Sequence, residues 1–153
     1  MYILIAGVIA IVDQFTKWLV TTNIGYNHEI QIIESFFYIT YVKNKGAAWG
    51  ILQNQRLLFV GITILVIIGV LYLIAKEKKN YNKLVLSFIL GGALGNFIDR
   101  IFRGYVIDYI NITEVMDFPV FNLADSFIVI GVIILIIFYL RGEYIERSKS
   151  RGK

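Results

Sequence analysis

Hydrophobic residues in this chain come in long unbroken runs, and the polar residues gather toward one end of most of them. The clearest run is Leu57 to Ala75, 19 residues without a charge, closed by Arg56 and Lys76. At about 1.5 Å of rise per residue, Arg56 to Lys76 covers about 30 Å, the thickness of a bilayer's hydrocarbon core. Three more runs are long enough to cross: Met1 to about Thr22, Leu84 to about Phe102, and Asn122 to Leu140. The pattern therefore predicts an all-α membrane protein with four transmembrane helices. Its outer loops are 23–55 and 103–121, its inner loop is 76–83, and a tail covers 141–153.

The first outer loop breaks that pattern. Glu29 to Val42 is rich in β-branched and aromatic residues with partial alternation, which predicts short strands. An open sheet edge is not tolerated in hydrocarbon, so this piece is expected to lie on the membrane as a small β platform. Phe36, Phe37, Tyr38, Tyr41 and Trp49 suit the lipid–water boundary. Between Leu57 and Ala75 the second span carries no charged or amide side chain, and it reads as scaffold.

Charge fixes the orientation. Lys76, Lys78, Lys79 and Lys83 crowd the inner loop, and Arg141, Arg147, Lys149, Arg151 and Lys153 crowd the tail, together nine of the 15 basic residues. By the positive-inside rule both regions, and hence both termini, are cytoplasmic. The tail reads as a solvated cytoplasmic segment. Basic residues placed this way mark topology and do not form a nucleic-acid face.

Composition narrows the class. The chain has 153 residues, 58% hydrophobic and 17% charged, with mean hydropathy +0.69. A soluble domain is about a quarter charged. The length fits a single membrane-embedded domain over residues 1–153. No cysteine is present, which removes disulfides, thiolate ligands and thiol nucleophiles. Residues 1–20 lack a basic start and a small-residue cleavage site, so they read as a retained helix.

The polar residues converge in depth. Measured from the cytoplasmic boundary at about 1.5 Å per residue, Asp13 and Lys17 lie about 18 and 24 Å up the first span. Asn96 and Arg100 lie about 20 and 25 Å up the third, and Asp125 about 24 Å up the fourth. One polar layer beneath the outer surface is expected. Asp13 and Lys17, four apart, share a helix face and form either a structural ion pair or a device that orients substrate or a neighbouring site residue. Gly91 and Gly95 allow close helix packing. Asn96 and Arg100 share a face and offer donors for a peptide carbonyl, unless Arg100 simply reaches to the outer surface. Asp99 points elsewhere and pairs with Arg103. Asn44, Gly46 and the residues up to Gly50 form a small-residue loop, either a tight turn or a place where a substrate backbone is held. Asn122 is a natural N-cap with Asp125 at the third helical position.

Asp108 and Asp125 stand out because each adjoins a span, where a carboxylate is costly unless it has a function. The third span runs outward and the fourth returns, which brings the two together at the outer surface. Two such carboxylates share a proton and suit acid–base hydrolysis of a peptide bond. The helix N-terminus favours charge on Asp125, making it the base. His28 is the only histidine and sits in a loop, and Ser126 lacks an evident base, so serine chemistry is disfavoured. The competing reading is a proton or ion path, or a transporter subunit. Such a path needs polar groups through the inner half of the bilayer, where only isolated hydroxyls such as Thr63 and Ser87 occur.

Five motifs in order, D-Q-x-T-K, N-x-G-A-A-W-G, G-G-A-L-G-N-x-I-D-R, V-x-D-Y and F-N-x-A-D-S, closely resemble the bacterial lipoprotein signal peptidase family, signal peptidase II. The resemblance runs from Met1 to about Arg141. It implies an aspartyl endopeptidase of the bacterial cytoplasmic membrane that cleaves diacylglyceryl-modified prolipoproteins before the lipid-bearing cysteine. It implies Asp108 and Asp125 as catalytic, with Asp13, Lys17, Asn44, Asn96, Arg100, Asn122 and Ala124 around them. It also implies contact with membrane lipids, inhibition by globomycin-type cyclic peptides, and no cofactor.

Overall fold

The computed structural model describes residues 1–46, 51–112 and 118–151, with side chains through residue 141. The elements run α1 (Tyr2–Asn23), β1 (Glu29–Ile33), β2 (Phe37–Asn44), α2 (Arg56–Lys76), α3 (Asn80–Phe102), β3 (Val106–Asn111) and α4 (Leu123–Arg151). All four helices are long and apolar enough to cross a membrane.

Their unequal polarity decides which one is central. α3 is the least apolar, with mean hydropathy 1.5, and 61% of its most apolar stretch is buried; for α2 the values are 3.0 and 11%. Lipid solvates α2, whereas α3 is enclosed by its neighbours. Missing side chains make the enclosure tight. A Cβ on Gly91 would come within 3.0 Å of Ile9 and of the Ala6 carbonyl on α1, and one on Gly92 would strike the Ala124 carbonyl on α4. Close backbone approach of this kind holds helices together where lipid removes the hydrophobic drive. Below the polar layer, Ala6, Val70, Ile74, Leu86, Ile89 and Leu90 form one apolar cluster.

The three strands form one antiparallel sheet in the order β1-β2-β3. Val42 pairs with Asp108, Lys43 with Ile107 and Asn44 with Val106, beyond a register shift between Ile39 and Val42. Val106 through Tyr109 are all buried, so β3 is covered on both faces. Val20, Ile24, Tyr41, Ile107 and Tyr109 make the cluster that seats the sheet on the end of α1.

Four expectations change. The second outer loop holds a strand, β3, and Asp108 sits on it. Tyr38 and Tyr41 are buried within the protein and not spread at a lipid boundary; Phe36 is exposed. α3 starts at Asn80, not Leu84, because the Glu77 carboxylate accepts from the Lys78 and Lys79 N–H groups (2.7 and 2.9 Å) and from Asn82 Nδ2 (2.8 Å), closing the turn early. The expected tail continues α4 as helical backbone to Arg151. Trp49 and the loop residues 47–50 lie outside the described residues, as do residues 113–117.

Candidate active site

Asp125 is fixed by the start of α4. Its N–H donates to Asn122 Oδ1 at 2.9 Å, while its own Oδ2 accepts from the Asn122 N–H at 3.3 Å. This reciprocal cap satisfies two N–H groups that a helix start leaves free. It also turns the carboxylate back toward the chain entering the helix. Asp125 Oδ1 then accepts from Asn96 Nδ2 of α3 at 2.7 Å.

Asp108 reaches the same place from the sheet. Its Oδ2 accepts from Asn44 Nδ2 of the paired strand at 2.9 Å, and its Oδ1 from Asn122 Nδ2 at 2.7 Å. Asn44 Oδ1 in turn accepts from the Gly46 N–H at 2.9 Å, which fixes the amide's orientation. Asn122 is wholly buried and also donates to Asn96 Oδ1 (3.2 Å) and the Ile107 carbonyl (3.3 Å). One amide side chain thus touches both halves of the site. Burial, and then the neighbouring Asp125 charge, push the Asp108 carboxyl up to about 7. The two asparagine donors pull the other way but do not cancel burial.

Both carboxylates line a cleft of about 220 Å³, together with Asn44, Gly46, Asn96 and Arg100. The Arg100 guanidinium stacks over the Phe59 ring, 5.4 Å from its centroid, and donates to the Asn96 carbonyl at 3.4 Å. Arg100 therefore lines the cleft and does not simply reach out to the surface. α2 contributes through Phe59, so it is more than scaffold. Its Arg56 also donates to the Arg100 and Ile101 carbonyls, both at 2.7 Å, capping the C-terminus of α3.

Behind the cleft lies a sealed charge cluster. Lys17 Nζ is 2.8 Å from Asp13 Oδ2 and 2.9 Å from Asp99 Oδ2, with all three side chains at 0% exposure. Asp99 Oδ1 accepts from Gln14 Nε2 (3.0 Å) and from Arg103, and Asp99 Oδ2 also accepts from the Ile107 N–H at 3.1 Å. Asp13 Oδ1 accepts from the Ala124 N–H at 3.0 Å. Two cations balance two anions, and every carboxylate oxygen has donors, which is what a buried ion cluster requires. Gly95 makes room for it: a Cβ there would fall 2.5 Å from Asp13 Oδ2.

The sequence-predicted residues therefore divide. Asn44, Gly46, Asn96, Arg100, Asp108 and Asp125 face one cleft, with Asn122 directly behind. Asp13 and Lys17 are closed off from it, which leaves a structural ion pair or a device that orients a neighbouring cleft residue. Ala124 contributes a backbone N–H to that pair. Lys17 connects the two regions by donating to Asn96 Oδ1 at 3.0 Å. Asp99 stays out of the cleft and pairs with Arg103, as expected; beyond that expectation, it is the hub of the cluster and anchors β3 one residue before Asp108. Its spacing carried the signal, since Asp99 stands three after Asn96 and four after Gly95, on one helical face. Gln14 follows Asp99 in this respect.

Beside Asp125 the protein opens into an apolar groove of about 350 Å³, lined by Ile112, Phe118, Phe121, Ser126, Val129 and Ile130. It lies against the face of α4 that leaves Val129 and Ile130 exposed.

Residues 5–141 match the family model described as signal peptidase (SPase) II. A lipoprotein signal peptidase of Halalkalibacterium halodurans is 47% identical over 146 residues, covering 93% of each chain. One from Bacillus subtilis is 46% identical, covering 90% of this chain and 91% of its own. A solved bacterial membrane enzyme has a TM-score of 0.86 and 40% identity, covering 92% of this chain and 87% of the other.

Proposed function

The chain belongs to the signal peptidase II family, and from that footing we propose how it removes signal peptides from prolipoproteins. The substrate is a precursor whose cysteine already carries a diacylglyceryl group, and the bond cut is the one just before that cysteine. Asp108 and Asp125 are the catalytic pair. The observation that carries this reading is their shared cleft, where each is held by neutral amides and, among the described residues, neither lies within salt-bridge distance of a cation.

Asp125 is the ionised member, since its place at a helix start favours negative charge. Asp108, with its carboxyl raised to about 7, is the member that carries the proton as pH rises toward neutral. Water bound between them loses a proton to Asp125 as its oxygen bonds to the scissile carbonyl carbon, and the Asp108 proton passes to the carbonyl oxygen. Collapse of the tetrahedral species breaks the C–N bond. The cysteine amine takes the proton from Asp125, and Asp108 regains its own, so one water is added across the bond. Arg100 and Asn96 border the cleft and stabilise charge developing on that oxygen.

The site lies at the end of the bundle where α3 ends and α4 begins. We place this end at the outer face of the cytoplasmic membrane, with both termini cytoplasmic, because the basic residues of 76–83 and 141–153 mark the opposite end. The apolar groove beside Asp125 suits an acyl chain entering from the surrounding lipid. A globomycin-type cyclic peptide would compete for the cleft. The proton-path reading loses support from the inner half, where Thr63 and Ser87 donate to their own helices' carbonyls at Phe59 (2.7 Å) and Leu84 (2.6 Å). Among the described residues the buried charged side chains are Asp13, Lys17, Asp99 and Asp108, all within the one polar layer.

The test is cleavage by purified protein of a lipid-modified precursor beside the same precursor with its cysteine changed to serine. The proposal expects a cut before the cysteine in the first and none in the second. Equal cleavage of both would remove the lipid from the substrate definition.

A further inference from the structure

On the opposite face of β2 from Asn44 lies a second cavity, of about 470 Å³, lined by Lys43, Lys45, Asn54, Arg56, Arg103 and Tyr105. Adjacent strand residues point to opposite faces, which separates Lys43 and this cavity from the carboxylate cleft. Four cations from three segments converge here, and no carboxylate is among the described residues that line the space. Asp99, which Arg103 contacts, is already engaged by Lys17 and Gln14.

Several of these cations are held in position. The Lys43 ammonium stands over three rings, 4.6 Å from the centroid of Tyr26, 5.3 Å from Tyr105 and 5.7 Å from Tyr41. Arg56 is tied through Nε and Nη2 to the end of α3, and Arg103 through Nη1 to Gln14 and Asp99. Gly104, at φ 79°, turns the chain so that Arg103 and Tyr105 both reach the cavity. Like charges fixed together without counter-charge repel, and a bound anion relieves that repulsion. Basic residues at this end also run against the positive-inside bias on the orientation proposed above, so a local function for them is called for.

We infer that this cavity binds the phosphate of an anionic phospholipid headgroup. It opens where α2 begins and α3 ends, at the level of the headgroups, where phosphodiester anions are the most concentrated negative groups. Asn54 and the Tyr105 hydroxyl add neutral donors suited to a glycerol headgroup. The inference depends on the proposed orientation only for which leaflet supplies the lipid, and not on the peptidase mechanism.

Native mass spectrometry of the full chain in detergent, titrated with phosphatidylglycerol or phosphatidylcholine, tests it. Wild type should bind phosphatidylglycerol at least tenfold more tightly. Lys45→Gln, which leaves the Lys43 ring stack intact, should lose about fivefold of that affinity, and Lys43→Gln with Lys45→Gln more. Lys78→Gln with Lys79→Gln, at the other end of the bundle, should change little. Equal binding of the two lipids, or an unchanged Lys45→Gln with unaltered unfolding temperature, would overturn the proposal. So would binding of inorganic phosphate by a protein that shows no lipid preference. Cleavage of the lipid-modified precursor in zwitterionic detergent is read separately, so this site and the peptidase reading fail independently.

Discussion

Four carboxylates occupy one polar layer, and they are built in two different ways. Asp13 and Asp99 are closed from solvent, matched by Lys17 and Arg103, and supplied with donors at every oxygen. Asp108 and Asp125 face a cleft and are held by the uncharged amides of Asn44, Asn96 and Asn122. A cation on a carboxylate fixes its charge, whereas an amide fixes only its position and leaves its proton free to move. The first arrangement suits a strut and the second suits acid–base work. Asn96 joins the two, because its carbonyl oxygen receives Lys17 and its nitrogen holds Asp125.

The comparison breaks most visibly in turnover. Asp108→Asn or Asp125→Asn should lower the cleavage rate by about 10²–10⁴-fold, as removal of a general acid or base does. Each should lower the unfolding temperature only slightly, because one of the two accepting oxygens becomes an NH2 that faces a single donor at the edge of an open cleft. Lys17→Met should do the reverse. It strands two buried carboxylates and should cost about 3–5 kcal/mol of stability, read by thermal unfolding in detergent. The purified protein that remains folded should still cleave.

Asn96→Ala tests the joint. It frees Asp125 and removes an acceptor from Lys17, and a displaced reactive group costs about 10²-fold in rate. A loss confined to stability would place Asn96 wholly in the strut. The smallest effect is in pH. The Asp108 carboxyl is raised to about 7, so the protonated form needed as acid disappears as pH climbs through that value. The rate should fall about tenfold per unit above it. Asn44→Ala removes a donor that holds this carboxyl down, so the alkaline limb should move to higher pH even as the overall rate falls. Movement to lower pH would contradict the assignment of the acid.

Much of this was legible because lipid is a demanding solvent. A charge-free run such as Leu57–Ala75 has few other meanings, and Asn122 followed three later by Asp125 marks a helix start through local chemistry alone. Strand β3 escaped because Val106–Asn111 is short and is defined by pairing with β2, some 60 residues away in the chain. The burial of Tyr38 and Tyr41 escaped for the same reason, since only that pairing puts Tyr41 over the end of α1 and Tyr38 opposite Asn111. Sequence spacing brought Asp13 and Asp125 into one layer, yet depth alone does not separate a paired carboxylate from a free one. That distinction depends on Asp99 and Gly95 of α3 meeting α1, a contact between residues more than 80 positions apart.

The decisive measurement takes cleavage rate and unfolding temperature from the same preparations of wild type, Asp108→Asn, Asp125→Asn and Lys17→Met, on a diacylglyceryl-modified precursor. The account predicts that the two asparagine variants melt close to wild type and do not cleave, while Lys17→Met melts well below both. An asparagine variant that keeps more than a tenth of the wild-type rate, or a Lys17→Met protein as stable as wild type, would contradict it.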